Sequence, residues 1–303
     1  QPAVTAPVSL ADDLPLTEII DRFCDYKKRN VTVGTQIAIR SKLDVFLKIV
    51  KEHNNNKVIT ISQLDQAQVR HYRDTLLKIP AYRNKFPVHS TVNDWIRSGK
   101  QPISAKTAQD SVVLVGEMLD WIANEGYPIV KNLRTIFRTV KKPKADQKDI
   151  RVNFSEIELK LMFESERYIK GNCKSGSDYW VPLIAIFTGA RMGEILQLYI
   201  GDIRQEEGVW LFDINDDDEK KVKTVSGKRL VPIHSQLIKM GLLDYIKERV
   251  KQSERLFPEE IRSSSGQFSQ YSKRFNNWKN GIGIIRENKT RKDFHSFRHT
   301  VRT

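Results

Sequence analysis

Thr188-Gly189-Ala190-Arg191-Met192-Gly193-Glu194-Ile195 is the stretch on which the reading of the second half of the chain turns. Gly189 admits a tight turn, so one helix can end there and another begin at once. Residues 192–198 predict a short helix with Ile195 and Leu198 facing inward. Arg191 and Glu194, three apart, then share a face, and Arg191 is held near the start of a packed helix. A planar guanidinium so held suits bidentate contact with phosphate, and Glu194 can orient it or a neighbour. Taken alone, the pair is also what a solvated i,i+3 ion pair looks like.

The surroundings give the pair a setting. Upstream, residues 179–187 predict a buried helix, with Pro182 tolerated in its first turn. Residues 155–169 predict another, opened by a capping box between Ser155 and Glu158. Downstream, residues 209–214 and 229–233 read as strands separated by the polar residues 215–228. Helices are expected near 236–251 and 267–278, and a last one from around Phe294.

Two further stretches carry chemistry. Lys220-Lys221-Val222-Lys223-Thr224-Val225-Ser226-Gly227-Lys228-Arg229 leads into Leu230-Val231-Pro232-Ile233, a lysine-dense hairpin able to hold an ammonium over a substrate. His295-Ser296-Phe297-Arg298-His299-Thr300 repeats the three-residue spacing, offering an imidazole and a guanidinium on one face. Singly, an exposed lysine turn and a packed histidine explain them as well.

The first half reads as helices. Leu16, Ile19, Ile20 and Phe23 recur at helical spacing, as do Ile39, Leu43, Phe46, Leu47 and Val50. Residues 64–77 predict a third helix. A fourth is capped by Ser104, carries the stripe Val112, Val115, Leu119 and Ile122, and ends at Gly126. Lys106 in its first turn opposes the helix dipole, which suits a phosphate contact or an ordinary solvated lysine. Residues 141–149, with Lys141 and Lys142 beside Pro143, cannot pack a core and mark the domain boundary. The expected plan is a short segment 1–10, a helical domain 11–140, a basic linker 141–149 and a second domain 150–303. The fold class is mainly α with a small antiparallel sheet in the second domain, an α+β arrangement.

Composition agrees with this plan. The 303 residues carry 51 Lys and Arg against 37 Asp and Glu, net +14, and both halves are basic. That balance points to a polyanionic partner. The longest apolar runs fall well short of the roughly 20 residues of a membrane span. Cys24 and Cys173 give neither a disulfide framework nor a zinc-binding spacing, which suits a reducing cytoplasm. Asp213, Asn215 and Asp217 alternate like the start of a calcium loop. Asp218 and Thr224 stand where that loop needs Gly and Glu, which rejects it.

In this order, TGARMGEI, a hairpin lysine before Val-Pro, and HSFRHT resemble the tyrosine recombinase (phage integrase) family. The layout resembles it along the whole chain; the sharp motifs lie between Thr188 and Thr300. The resemblance implies a site-specific recombinase or integrase that cuts and rejoins duplex DNA through a covalent 3′-phosphotyrosine. Two domains, core-binding and catalytic, would close on the duplex as a clamp, with Lys106, Lys141 and Lys142 as phosphate contacts. Arg191 and Arg298 match the arginines that hold the scissile phosphate. His295 matches the histidine that donates to it and transfers a proton, and Glu194 the acidic residue supporting the pocket. Lys223 matches the general acid toward the leaving 5′ oxygen. Its spacing to Pro232 is one residue longer than usual, so Lys221 and Lys228 stay open. The resemblance implies no metal and no cofactor. It implies duplex attachment sites as partners, a monomer when free, a tetramer on synapsed DNA, and accessory DNA-bending proteins.

One departure matters. The family's nucleophilic tyrosine follows the second arginine, whereas Tyr168, Tyr179, Tyr199, Tyr245 and Tyr271 all precede Arg298. The expectation is a piece of a longer protein that binds DNA without cleaving it. The alternative is a catalytically inert DNA-binding protein retaining the recombinase fold.

Overall fold

The computed structural model describes residues 12–139, 150–217, 220, 227–264, 266–285 and 290–302. The chain divides into two compact units, Gln1–Asp146 and Gln147–Thr303.

In the first unit, Leu16, Ile19, Ile20 and Phe23 form the buried face of α1 (Leu16–Lys28), as their spacing predicts. The Thr32 hydroxyl caps α2 (Val33–His53), which buries Ile39, Leu43, Phe46 and Val50. Asp65 and Gln68 cap α3 (Gln66–Leu76) reciprocally. α4 (Val92–Arg97) is a single short helix that the periodicity does not announce. α5 (Ala105–Asn124) starts on Ser104, whose hydroxyl accepts the Thr107 amide at 3.1 Å. It packs its stripe Val112, Val115, Leu119 and Ile122 against α1 and α2.

The second unit opens with β1 (Ile150–Arg151). Ser155 and Glu158 then close the expected capping box on α6 (Glu156–Phe163). The chain breaks at Ser165 before α7 (Glu166–Ile169), so residues 155–169 are two helices. α8 (Gly176–Thr188) begins three residues earlier than expected, which puts Pro182 in its second turn. There Pro182 supplies no N–H to the Asp178 carbonyl, and the Arg167 guanidinium donates to it instead at 3.2 Å. After Gly189, in the left-handed region at φ 62°, comes α9 (Met192–Leu196).

β2 (Ile203–Glu206), β3 (Val209–Ile214) and β4 (Arg229–Pro232) make a three-stranded antiparallel sheet in that order. β2 escapes the sequence reading because it is polar after Ile203. Its turn is legible afterwards: Glu207 and Gly208 both have positive φ, as a tight two-residue hairpin requires. Residues 236–251 are also two helices, α10 (Ser235–Lys239) and α11 (Leu242–Val250), parted at Gly241 with φ 90°. α12 (Ser269–Gly281) follows. β5 (Thr290–Arg291) pairs parallel with β1. The last helix, α13 (Ser296–Arg302), starts two residues later than expected and packs on α8. The fold is mainly helical with one small antiparallel sheet in the second unit.

Candidate active site

Arg191 is the residue before α9, in extended backbone, and not inside the helix. The capping geometry explains the position: Glu194, in the first turn, accepts the Arg191 amide at 3.0 Å and the Arg191 guanidinium at 2.5 Å. Its carboxylate is only 3% exposed. The Arg229 guanidinium, at the start of β4, reaches the same carboxylate at 2.9 Å and the Gly227 carbonyl at 2.8 Å. Burial pushes the Glu194 carboxyl up, yet bonds from the Arg191 amide and from the Arg229 and Arg191 guanidiniums outweigh it. The pKa lies below the ordinary carboxylate value.

The second box meets the first through the backbone. Arg298, on α13, donates to the carbonyl of Gly189 at 2.7 Å, two residues before Arg191 and far away in sequence. Phe297 beside it is fully buried against Phe154, Phe275 and Phe294, and Thr300 accepts the Phe154 amide at 2.9 Å. These contacts seat α13 on the unit's core, so Arg298 is positioned by packing as well as by its own hydrogen bond.

His295 precedes α13. Its amide donates to Asp293 at 3.0 Å, and Asp293 also takes Arg151 at 3.0 Å and Arg291 at 2.9 Å. Burial first, then the fields of Arg151, His299 and Arg298, pull the imidazole below its usual pKa against Asp293. The ring is therefore neutral near pH 7, able to donate from one nitrogen and accept at the other.

The structure thus brings Arg191, Glu194 and Arg298 to one turn and places His295 within the field of Arg298. Lys223 and Lys221, with Lys141 and Lys142, lie outside the described residues. Lys228 is exposed and ion-paired with Asp216. Lys106 is exposed and sits 3.4 Å from Asp110. Sequence reasoning missed Arg229, although it ends the quoted lysine stretch, and Arg151, whose partner Asp293 is distant in sequence. It also missed Lys220, whose buried ammonium meets the buried Asp202 at 2.6 Å. Among the described residues no cluster of three or more His, Cys, Asp or Glu could hold a metal, and no helix is long and apolar enough to cross a membrane.

Fold and site together define a protein that gathers guanidiniums and an imidazole beside a helix junction. Residues 152–303 match the model of the phage integrase family, and the chain belongs to that family. A sequence search of curated proteins finds no match. Among solved structures, a lambda integrase dimer bound to a COC′ core site superposes with a TM-score of 0.60 at 15% identity, covering 95% of this chain and 85% of that one. The XerH recombinase bound to its difH substrate gives 0.55 at 18% identity, with 93% and 71% covered. The Tn1549 transposon integrase with transposon right end DNA gives 0.56 at 13% identity, with 95% and 85% covered. These likenesses concern the fold.

Proposed function

We propose that this chain is the core-binding and catalytic portion of a site-specific recombinase that breaks and rejoins duplex DNA through a 3′-phosphotyrosine. The observation that carries the reading is the 2.7 Å bond from Arg298 to the Gly189 carbonyl, which ties the second motif to the turn presenting Arg191. Family membership and the basic balance of both halves support it. In this reading the first unit is the core-binding domain and the second the catalytic one. The protein is a monomer when free and a tetramer on synapsed attachment sites.

In the reaction a phenolic oxygen gives its proton to the accepting nitrogen of His295 and attacks the scissile phosphorus, the bond to the 5′ oxygen breaks, and that oxygen takes a proton from the hairpin lysine. Arg191 and Arg298 hold the non-bridging oxygens, whose charge grows in the pentacoordinate transition state. Neutral His295 donates to the same phosphate, and the leaving oxygen is protonated by the hairpin lysine, Lys223 or its neighbours Lys221 and Lys228. No internal tyrosine of the second unit is assigned the attack. The hydroxyls of Tyr168, Tyr245 and Tyr271 donate to the carbonyls of Tyr179, Leu256 and Ser177, and burial raises the pKa of all three. In this reading the attacking phenol follows Arg298 in the chain, and Tyr179 and Tyr199, like the other three, precede it.

A nicked suicide duplex, which traps the covalent adduct for denaturing electrophoresis, tests this. A form of the protein carrying a tyrosine C-terminal to Arg298 should give the adduct, and residues 1–303 alone should not. Arg191→Ala or Arg298→Ala should lower the cleavage rate by about a hundredfold or more, with binding largely kept. An adduct from residues 1–303 would overturn the assignment of the nucleophile. No adduct from the extended form would favour an inert DNA-binding protein.

A further inference from the structure

Between α3 and α5 the chain makes an excursion, residues 79–103, that the functional reading has not used. It is a built element. Its two ends are joined by a bridge between Pro80 and Pro102 and by the Ile103 amide on the Ile79 carbonyl at 2.9 Å. α4 within it is capped reciprocally by Thr91 and Asp94, and Trp95 is buried. The Val92 amide donates to Glu52 of α2 at 2.8 Å.

The excursion carries four cations, Arg83, Lys85, Arg97 and Lys100, against one carboxylate, Asp94, which the helix cap already engages. Among the described residues none of the four forms an ion pair, whereas Arg22, Arg40, Arg73 and Arg134 of the same unit each have one. Aromatic rings hold three of them instead. Arg83 lies over Trp95 at 6.0 Å, Lys85 over Tyr82 at 5.2 Å and Lys100 over Phe86 at 4.1 Å. Lys48 of α2 joins Arg83 over Trp95 at 5.3 Å, although Glu52 partly neutralises it. A ring steadies a cation without cancelling its charge, so the N–H donors stay available to an external anion. Arg83 is half-buried with a single acceptor, the Pro80 carbonyl at 2.9 Å, which leaves most of its donors unused. Tyr82 stands 68% exposed beside this group.

We propose that residues 79–103 form a phosphate-gripping surface for duplex DNA, with Arg83, Lys85, Arg97 and Lys100 as its contacts. The proposal rests on the reading that the protein binds DNA, and names where in the first unit it does so. Cations on one built segment, three of them steadied by rings and none ion-paired among the described residues, suit a row of phosphates.

The test is the salt dependence of binding of residues 1–303 to a fluorescent duplex of random sequence, followed by anisotropy. Each phosphate contact contributes about 0.9 to the slope of log affinity against log salt. The quadruple variant Arg83→Gln, Lys85→Gln, Arg97→Gln, Lys100→Gln should lower the slope by about 2–4. A control with equal charge loss, Arg22→Gln, Lys27→Gln, Lys28→Gln, Arg134→Gln, should lower it by less than about 1. Because Arg83 packs on Trp95, the double variant Lys85→Gln, Lys100→Gln, both surface positions, gives a second reading, with an expected fall of about 1–2. Equal falls in excursion and control variants would mean that only net charge matters, and an unchanged slope in both excursion variants would likewise overturn the proposal. A wild-type chain that binds no duplex even at low salt would instead bring down the DNA-binding reading itself.

Discussion

Replacing Glu194 by Gln tests the buttress of the candidate site most directly. The carboxylate is 3% exposed and accepts three hydrogen bonds, two of them from guanidiniums. Removing one partner of a buried ion pair typically costs about 3–5 kcal/mol. The Arg191 and Arg229 side chains are 30% and 28% exposed, so water recovers part of that. The Gln oxygen also still accepts one bond, and the expected loss is about 2–3 kcal/mol. Urea unfolding measures it, with hydrogen exchange assigning the shift to residues of the second unit. The pH dependence gives an independent check. The folded Glu194 pKa lies below the unfolded one, so its contribution is fully present above the unfolded value near 4.5 and fades as pH falls through the folded value. The gap between wild type and Glu194→Gln should therefore close in acid. A double-mutant cycle with Arg229→Met should also show coupling of about 0.5–3 kcal/mol. A variant within about 0.5 kcal/mol of wild type at pH 7, the usual range for surface changes, or a gap unchanged in acid, would refute the reasoning.

Gly189→Ala should cost about 1–2 kcal/mol, because the residue sits at φ 62° while its added Cβ would meet Val301 only at an ordinary 3.4 Å; urea midpoints measure this, and a neutral variant would count against it. Lys220→Met leaves the buried Asp202, among the described residues, with the Tyr199 amide and Asn215, and should cost roughly 2–4 kcal/mol. Asp202→Asn added to it should recover much of that, and no recovery would show that the pair is not the cause. For His295 the folded pKa is depressed, so the stability tied to its neutral form is complete above about pH 6.5 and is lost as pH falls through the folded value. His295→Gln should flatten that acid decline, and an identical decline in both proteins would contradict it.

Much of this was legible in local pattern. The sequence pattern marks 209–214 as a strand with the bounds it has, and Ser104 and Ser155 cap the helices their positions predict. Such features depend on near neighbours and on one apolar face, which periodicity reports. Other features depend on partners far away in the chain. The β1–β5 pair joins two-residue strands across most of the second unit, and two residues leave no periodic trace. α4 is six residues long and rests on Trp95 and a cap, too little for a stripe. Residues 236–251 look continuous because helical spacing survives the break at Gly241. Pattern alone puts Pro182 in a first turn, because a proline deeper in a helix strands a carbonyl. The sequence does not reveal that Arg167 will take that carbonyl.

The site itself shows why single motifs underdetermined it. Arg191 with Glu194 reads as a one-to-one pair, which would be close to neutral and have little to offer a phosphate. In the fold, Glu194 serves two arginines, Arg191 and Arg229. Asp293 likewise serves Arg151 and Arg291. Each carboxylate that orders the site is thus outnumbered two to one, and each cluster keeps a net positive charge after its internal bonds are made. The carbonyl that receives Arg298 orients that guanidinium without adding a negative charge. The excess field is felt by His295, whose pKa falls partly because Arg151 and Arg298 stand near it. A phosphate entering such a site would relieve that repulsion and raise the affinity of His295 for a proton. In the proposed reaction, phosphate binding and the protonation of His295 would therefore be linked through the charges that act on the imidazole, Arg151 on β1 and Arg298 and His299 on α13.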